Sequence, residues 1–169
     1  IVSGTLGDHA ATVMAARHNL TLPQGIMSDS APLCHLTAAM LTAAPSIAVL
    51  RDPTRGGVAA SLNELAGAAG VGILLDEAAI PVHPAVQGVC DILGFDPLTL
   101  ANEGKLLAFV PPEDTERVLA VMHADPHGRA ACVIGHTTAE APGSVGLRTS
   151  LGGIRVVDLP LGELVPRIC

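Results

Sequence analysis

Residues 51–57, Arg-Asp-Pro-Thr-Arg-Gly-Gly, have the composition of a loop that binds an anion. The segment lies between a predicted strand and a predicted helix, where open α/β folds usually present ligands. Gly56 and Gly57 permit close approach of a ligand to the backbone, and the start of the next helix offers unpaired N–H groups. The Arg55 guanidinium suits a phosphate or a carboxylate. A tight turn in which an arginine pairs with Asp52 explains the same residues equally well, so spacing alone leaves both interpretations open.

Two other segments carry titratable side chains beside glycines. Residues 3–9, Ser-Gly-Thr-Leu-Gly-Asp-His, combine small residues with Asp8, which is expected to cap a helix that begins near His9. The His9 imidazole could bind a ligand or transfer a proton because its unperturbed pKa lies near neutrality, although a single histidine there is more often solvated or capping. The Asn-Glu-Gly turn at 102–104 precedes a predicted buried strand, so the Glu103 carboxylate could point into a cleft and act as a general base. An exposed turn acid is the alternative for Glu103.

The last residue, Cys169, is a candidate nucleophile. A thiolate on a flexible arm can accept an acyl group and visit two sites, and the prolines and lack of a sustained period predict an extended tail over residues 159–169. Truncation at an arbitrary point and an incidental surface thiol are the alternatives. The remaining cysteines form no CxxC pair and are predicted to be buried small hydrophobic residues of a cytoplasmic protein: Cys34, Cys90 and Cys132.

Hydrophobic periodicity predicts the elements that must position these segments. The predicted helices cover about residues 9–17, 31–44, 58–69, 83–93 and 113–123. The predicted strands cover residues 46–50, 71–75, 105–110 and 131–136, followed by a hairpin of 145–149 and 154–157. Because strands and helices alternate before the hairpin, we expect an α+β fold (α/β layered) in which helices pack against one mixed sheet. The folded domain is predicted to span residues 1–158.

The composition limits the classes of function. Of the 169 residues, 49% are hydrophobic but only 1% are aromatic, so the predicted core consists of Ala, Val, Leu and Ile. A net charge of -7 and the absence of Trp and Tyr argue against a nucleic-acid partner. Since no apolar run has the length of a membrane span, we expect no membrane association. The chain starts within a motif and without Met, which we interpret as part of a longer protein, with a processed mature start as the alternative.

Four segments together resemble the HypE family of hydrogenase expression/formation proteins. They are residues 3–9, residues 51–57, Ala-Asn-Glu-Gly-Lys at 101–105 and Pro-Arg-Ile-Cys at 166–169. The first three also resemble a wider superfamily of ATP-using enzymes related to aminoimidazole ribonucleotide (AIR) synthase and selenophosphate synthetase. The terminal four residues are what separates the HypE family from those relatives, and the resemblance extends over the whole chain.

The resemblance implies the fold of an AIR synthase-related C-terminal domain and the activity of an ATP-dependent carbamoyl dehydratase. In this family the carbamoyltransferase HypF loads a carbamoyl group onto the terminal cysteine, here Cys169. ATP then activates the carboxamide oxygen, loss of phosphate leaves a thiocyanate, and the cyano group passes to the HypC–HypD complex. There it becomes a cyanide ligand of the iron in [NiFe]-hydrogenase.

The resemblance also assigns roles to residues of the other segments. Glu103 matches the family carboxylate proposed to remove an amide proton, and His9 matches the family's Gly-Asp-His motif, with a less defined role. The residues that match the loop lining the nucleotide and tail cleft are Asp52, Arg55, Gly56 and Gly57. In one departure, Ala10 stands where the family motif commonly has a glycine.

Family members are implied to be homodimers that bind ATP and Mg²⁺ mostly through an N-terminal domain. We expect that domain to be absent from this chain, and therefore expect no appreciable ATP turnover by the chain alone. Two other functions stay open at this point. One is a different ATP-dependent phosphotransferase of the same superfamily, and the other is an interaction domain that presents its tail to partner proteins.

Overall fold

The computed structural model describes residues 1–21 and 26–160 of the chain. Within them, the helices are α1 (Asp8–Arg17), α2 (Cys34–Ala43), α3 (Gly57–Ala69), α4 (Pro84–Leu93) and α5 (Thr115–Ala124). The strands are β1 (Val49–Arg51), β2 (Gly72–Asp76), β3 (Leu107–Phe109), β4 (Gly135–Thr138), β5 (Val145–Arg148) and β6 (Ile154–Val156). Short 3-10 helices cover Glu77–Ala79, Pro97–Thr99 and Pro112–Asp114.

The described strands form two sheets. The larger sheet has the order β4-β2-β5-β6 and is mixed, because β2 is antiparallel to β4 and parallel to β5, with β5 and β6 joined as an antiparallel hairpin. The smaller sheet pairs β1 with β3 in antiparallel register, with Leu50 opposite Ala108. The α+β class, the mixed sheet and the terminal hairpin are thus confirmed. The expectation of one sheet is wrong, because β1 and β3 pair only with each other among the described strands.

The largest part of the core lies between α3 and the four-stranded sheet. Burial alternates along β5, where Val145 and Leu147 point inward, as expected for a sheet with one covered face. From the other side, α3 contributes Leu62 and Ala66 at helical spacing. Leu6 and Leu107 extend the same cluster toward the segments of interest.

Two smaller clusters complete the core. One joins α2 and α5 to the two-stranded sheet through Leu36, Met40, Leu106, Val118 and Met122. The other joins α1 to α4 through Ala10, Ala11, Val86, Val89, Cys90 and Leu100. These small aliphatic contacts allow α1 and α4 to approach closely. As a result, the Gly-Asp-His segment at the start of α1 is held against residues 98–102.

Several predicted boundaries are confirmed and others are wrong. Gly70 ends α3 in the left-handed conformation with φ of 64°, as its position after the apolar pattern predicts. The predicted cap of α1 is wrong, because the N-cap is Gly7 and Asp8 is the first helical residue. Helix α2 begins only at Cys34, which is exposed, contrary to the prediction of a buried thiol. The pattern from Ala31 onward was apolar enough for a helix, but it carries no signal that fixes the first turn.

No helix within residues 1–21 and 26–160 combines the length and the hydropathy required to cross a bilayer.

Candidate functional site

Three of the segments singled out in the sequence meet at the side chain of Asn102, which is fully buried. Its Oδ1 accepts a hydrogen bond of 2.8 Å from the backbone N–H of Gly7. Its Nδ2 donates to the carbonyl oxygens of Pro53, at 3.2 Å, and Leu100, at 3.0 Å. The backbone N–H of Asn102 also donates to Pro53, at 3.2 Å. Residues 3–9, 51–57 and 101–105 are therefore joined in one cluster.

A fourth segment, residues 28–30, closes the cluster on the side of Glu103. The backbone N–H of Glu103 donates to Asp29 Oδ1 at 3.1 Å, and Ser28 Oγ lies 2.8 Å from Nδ1 of His9. Gly104 fits only without a side chain, because a Cβ there would overlap the carbonyl oxygen of Asp29. The predicted site residues His9 and Glu103 are thus connected to the same short segment.

A largely buried ion-pair cluster joins Lys105 to Asp29 and Asp8, beside this junction. Lys105 Nζ lies 3.0 Å from Asp29 Oδ2 and 3.7 Å from Asp8 Oδ2, and the Asp29 side chain is only 3% exposed. Thr5 Oγ1 donates to the Asp8 carboxylate. Both carboxylates therefore have partners, which offsets the cost of removing them from water.

The 51–57 loop presents its polar side chains outward and its glycines inward. Asp52 and Arg55 are exposed, whereas Gly57 is buried with φ of 63°. A Cβ on Gly57 would lie 2.5 Å from the Leu100 carbonyl oxygen, so the start of α3 rests directly on the segment that Asn102 holds. Arg51 turns away from this region and pairs with Glu64 at 2.6 Å.

The Glu103 carboxylate remains available for chemistry. Glu103 is exposed, and within the described part of the chain its side chain makes no hydrogen bond or ion pair. A polar cavity of about 400 Å³ is lined by the next residue, Gly104, together with Thr5, Asp8, Asp29 and Lys105, among others, but not by Glu103 itself. A second cavity, of about 550 Å³, lies between the two sheets and is mostly apolar. None of the predicted site residues lines either cavity, but Asp8 and Gly104, the chain neighbours of His9 and Glu103, line the polar one, so we place the candidate site beside the polar cavity.

The cysteines differ in burial and therefore in the pKa of their thiols. Burial raises the pKa of the Cys90 thiol to about 11, and burial also raises the pKa of Cys132. Neither thiol is therefore suited to act as a nucleophile near neutral pH. Cys169 lies outside the described residues, and its predicted role stays a prediction. In residues 1–21 and 26–160, no group of three or more His, Cys, Asp or Glu side chains could hold a metal ion.

Two members of this site were not predicted from the sequence. In the turn at 102–104 only Glu103 was a candidate, and Asp29 was not among the candidate residues. A signal was present for Asp29, because an acid flanked by two serines is suited to accept hydrogen bonds from a neighbouring loop. The partners of both residues are distant in sequence, so local patterns do not reveal them.

Comparison with known proteins agrees with this arrangement. The profile of the AIR synthase related protein, C-terminal domain, matches residues 1–148. The chain is 53% identical over 169 residues to carbamoyl dehydratase HypE of Rhodobacter capsulatus, covering 100% of this chain and 50% of that protein. Identity to carbamoyl dehydratase HypE of Rhizobium leguminosarum bv. viciae is 51%, covering 100% of this chain and 49% of that protein.

Solved structures give the same result. A crystal structure of the hydrogenase maturation protein HypE superposes with a TM-score of 0.94 at 42% identity, covering 99% of this chain and 54% of that one. HypE in complex with ATP gives 0.93 at 41% identity, covering 99% and 51%. HypE in the HypE–HypF complex gives 0.88 at 42% identity, covering 94% and 52%.

These similarities identify the family, and they also show how much of a family member this chain covers. The chain spans about half the length of the HypE proteins that it matches. The described fold, the matched profile and the full-length similarity agree: the chain belongs to the AIR synthase related proteins, as their C-terminal domain, and within that family it resembles HypE.

Proposed function

We propose that this chain is part of a carbamoyl dehydratase that converts a carbamoyl group on Cys169 into a thiocyanate at the expense of ATP. The observation that carries the proposal is the junction at Asn102, which gathers residues 3–9, 51–57 and 101–105 and leaves Glu103 exposed, one residue before a glycine that lines a polar cavity. Relatives that are 53% and 51% identical to this chain are named carbamoyl dehydratase HypE. The product of the reaction would be the precursor of the iron cyanide ligands of [NiFe]-hydrogenase.

The chain leaves the described fold next to this junction. Pro160 Cγ lies 3.9 Å from the place that a Cβ on Gly56 would occupy, so residue 160 contacts the 51–57 loop. Cys169 is nine positions after Pro160 in the sequence. Since an extended chain spans about 3.4 Å per residue, nine positions can cover at most roughly 30 Å. That reach supports delivery of the Cys169 thiol both to a loading enzyme and to the candidate site.

The proposed chemistry explains why a base and an anion-binding loop are required together. A carbamoyl group on sulfur, S–C(=O)–NH₂, has an oxygen that leaves poorly until it carries a phosphoryl group. Transfer of the phosphoryl group to this oxygen, removal of both N–H protons and departure of phosphate yield S–C≡N, ADP and phosphate. We propose that Glu103 accepts a proton from the nitrogen. His9 is a candidate to pass that proton toward solvent, because it contacts the segment that binds the Glu103 turn.

ATP is the cosubstrate in this proposal, and a HypE relative has been solved with ATP bound. We propose that the 51–57 loop contributes to the nucleotide cleft through its exposed Asp52 and Arg55 and through the close backbone approach at Gly56 and Gly57. Mg²⁺ would neutralise the phosphates, as in other phosphoryl transfers. Because the described residues contain no cluster of metal ligands, we propose that the matching ligands belong mostly to the part of a HypE protein that this chain does not cover.

One proposed partner is suggested by a solved relative, and the others are implied by the family resemblance. A HypE has been solved in complex with HypF, and we propose HypF as the enzyme that loads Cys169. The HypC–HypD complex would accept the cyano group, in a cytoplasmic assembly in which the full protein is a homodimer. We further propose that residues 1–158 form the folded domain and residues 159–169 the tail that bears the acceptor cysteine.

The first experiment is to follow the mass of the C-terminal peptide. A full-length HypE protein carrying this chain would be incubated with HypF, carbamoyl phosphate and ATP. We expect Cys169 to gain the mass of a carbamoyl group and then to lose that of water, and we expect Cys169→Ser to gain nothing. Glu103→Gln should be loaded normally but should lose water slowly.

Two results would contradict the proposal in different ways. If HypF loads another HypE protein but leaves Cys169 unmodified, the terminal thiol is not the acceptor of the carbamoyl group. Loading followed by normal loss of water in Glu103→Gln would leave the dehydratase activity intact but would remove Glu103 from it.

A further inference from the structure

We propose that Asn102 is a positioning residue that sets the place of Glu103 relative to the 51–57 loop and to the start of α1. The inference rests on the proposed function for the role of Glu103. It goes beyond that function by naming the group that organises the site. None of the chemistry requires Asn102 to touch the substrate.

The chemistry of the carboxamide matches its three partners. The N–H of Gly7 needs an acceptor, whereas the carbonyl oxygens of Pro53 and Leu100 need donors. An asparagine side chain offers one carbonyl oxygen and two N–H groups, so one residue satisfies all three. An aspartate would place a negative charge against two carbonyl oxygens, and a leucine would leave all three backbone groups without this partner.

Each of the three bonds holds a different segment. The bond from Gly7 fixes the turn that begins α1, whose N-cap has no side-chain hydrogen bond of its own. The bond to Pro53, shared with the backbone N–H of Asn102, fixes the 51–57 loop. The bond to Leu100 fixes the carbonyl oxygen on which Gly57 rests. Glu103 follows Asn102 directly, so its backbone position is set relative to all three.

Because Asn102 is buried, its hydrogen bonds hold the three segments firmly in their relative positions. Asn102 is 0% exposed, so water cannot replace a lost partner without a rearrangement of the loops. The reacting groups of an enzyme must be held closely, since a displacement of about 1 Å can lower the rate about 100-fold. Loss of the carboxamide is therefore expected to lower the rate of dehydration while leaving the loading of Cys169 unchanged.

The kinetic test is a double-mutant cycle on dehydration of the loaded full-length protein. We expect Asn102→Ala to lower the single-turnover rate about 100-fold. If Asn102 acts mainly through Glu103, then adding Asn102→Ala to Glu103→Gln will slow dehydration by much less than Asn102→Ala does alone. A general structural defect would instead multiply the two losses. Asn102→Ser, which adds no charge and keeps a hydroxyl that can accept from Gly7, serves as the second variant if Asn102→Ala does not fold.

Amide hydrogen exchange of this chain tests the arrangement without any activity. We expect exchange at Gly7 to accelerate about fivefold to tenfold in Asn102→Ala, the equivalent of one lost hydrogen bond. Asn63→Ala is a matched control, because its carboxamide also bridges two segments, donating to Ala59 and Val157, but does not contact the Asn102 partners. Unchanged exchange in residues 3–9 and 51–57 of Asn102→Ala would overturn the inference.

The outcomes separate the inference from the function that it deepens. A wild-type protein that is loaded but does not lose water overturns the proposed function, and with it the role of Asn102 in that reaction. A wild-type protein that loses water while Asn102→Ala does so equally fast overturns only the positioning role. Multiplied losses in the cycle also overturn the positioning role and assign Asn102 to fold maintenance.

Discussion

Cys34 and Cys90 both lie in ten-residue helices, yet their thiols have different surroundings. Cys34 is the first residue of α2 and is exposed, whereas Cys90 is 1% exposed in the cluster between α1 and α4. Burial disfavours a thiolate, and the neighbouring carboxylates Asp91 and Asp96 add repulsion, so the pKa of Cys90 rises to about 11. Reactivity at the residue scale therefore follows burial rather than residue type.

We expect iodoacetamide at pH 8 to modify Cys34 quickly and Cys90 slowly. With a pKa of about 11, only about one thousandth of Cys90 is thiolate at that pH, and the side chain is buried as well. Peptide mass spectrometry over time should show at least a roughly 100-fold difference in rate in this chain. Similar rates at the two cysteines would contradict the described packing of α4 on α1.

The raised pKa of Cys90 also predicts a dependence of stability on pH. The folded-state pKa of about 11 exceeds the ordinary value of 9.0, so the unfolded chain releases this proton first as the pH rises. The contribution of Cys90 to stability is thus complete below pH 9 and is lost as the pH rises through 11. Urea unfolding of wild type and Cys90→Ala should therefore give a difference in free energy that shrinks over this range. A difference independent of pH would refute the shift.

The ion pairs of this chain differ in the same way. Lys105 pairs with Asp29, whose side chain is 3% exposed, whereas Arg51 pairs with Glu64 at an exposed position. We expect Lys105→Met to lower the free energy of unfolding by about 2–4 kcal/mol, because the Asp29 charge would lose its cation in a buried place. Arg51→Met, the matched control, should cost less than about 1 kcal/mol. Urea titrations of the two variants measure these losses in the free energy of unfolding. Equal losses would show that solvent screens the Lys105–Asp29 pair as it screens the Arg51–Glu64 pair.

At the scale of elements, α3 is positioned by its two ends. It begins at Gly57, against the carbonyl oxygens of Leu98 and Leu100, and ends at Gly70, where nothing lies within 4 Å of an added Cβ. Both glycines have nearly the same left-handed φ, 63° and 64°. The first end therefore docks the helix onto the candidate site, while the second only terminates it.

Because the two glycines have nearly the same φ, substitutions at both positions carry the same backbone strain. Comparing them therefore tests the docking of α3 at Gly57. Gly70→Ala should cost about 1–2 kcal/mol, which is the penalty for a side chain in the left-handed region. Gly57→Ala should cost at least about 2 kcal/mol more, since its Cβ would lie 2.5 Å from a backbone oxygen that Asn102 holds. Thermal or urea unfolding of both variants gives the comparison, and equal losses would exclude tight docking at Gly57.

At the scale of the whole molecule, the chain spans about half the length of the HypE proteins that it matches. The described half contributes the Asn102 junction, the exposed Glu103 carboxylate and the point at which the chain departs toward Cys169. The proposed reaction also requires groups that hold ATP and Mg²⁺, and the resemblance assigns most of these to the other half. The half with the carrier thiol and the half with the nucleotide would then act as one unit.

We accordingly expect no appreciable ATP hydrolysis by this chain alone. A phosphate-release assay with ATP and Mg²⁺ should give the buffer rate, both for the wild-type chain and for Glu103→Ala. Addition of the remaining half of a HypE protein should restore turnover that depends on Glu103. Hydrolysis by the isolated chain that disappears in Glu103→Ala would show instead that these 169 residues hold a complete nucleotide site.

The sequence by itself determined most local features and the family. Hydrophobic period located α3, α4 to within one residue and the terminal hairpin, and a capping glycine located the end of α3 at Gly70, because these signals act between neighbouring residues. Four short segments were specific enough to indicate a HypE-like domain, and the matched profile and relatives agree. Glu103 is exposed, which agrees with the alternative of an exposed turn acid, and its role as a base stays a prediction.

The tertiary structure alone decided which segments meet. Asn102 reaches Gly7 across 95 residues and Pro53 across 49, and Asp29 reaches Lys105 across 76. Hydrogen bonds and ion pairs of this kind depend on the path of the chain through space, which neither a helical nor a strand period encodes. For the same reason the alternation of strands did not reveal that β1 and β3 form a separate sheet. The residues that organise the candidate site became visible only once the aliphatic core had fixed that path.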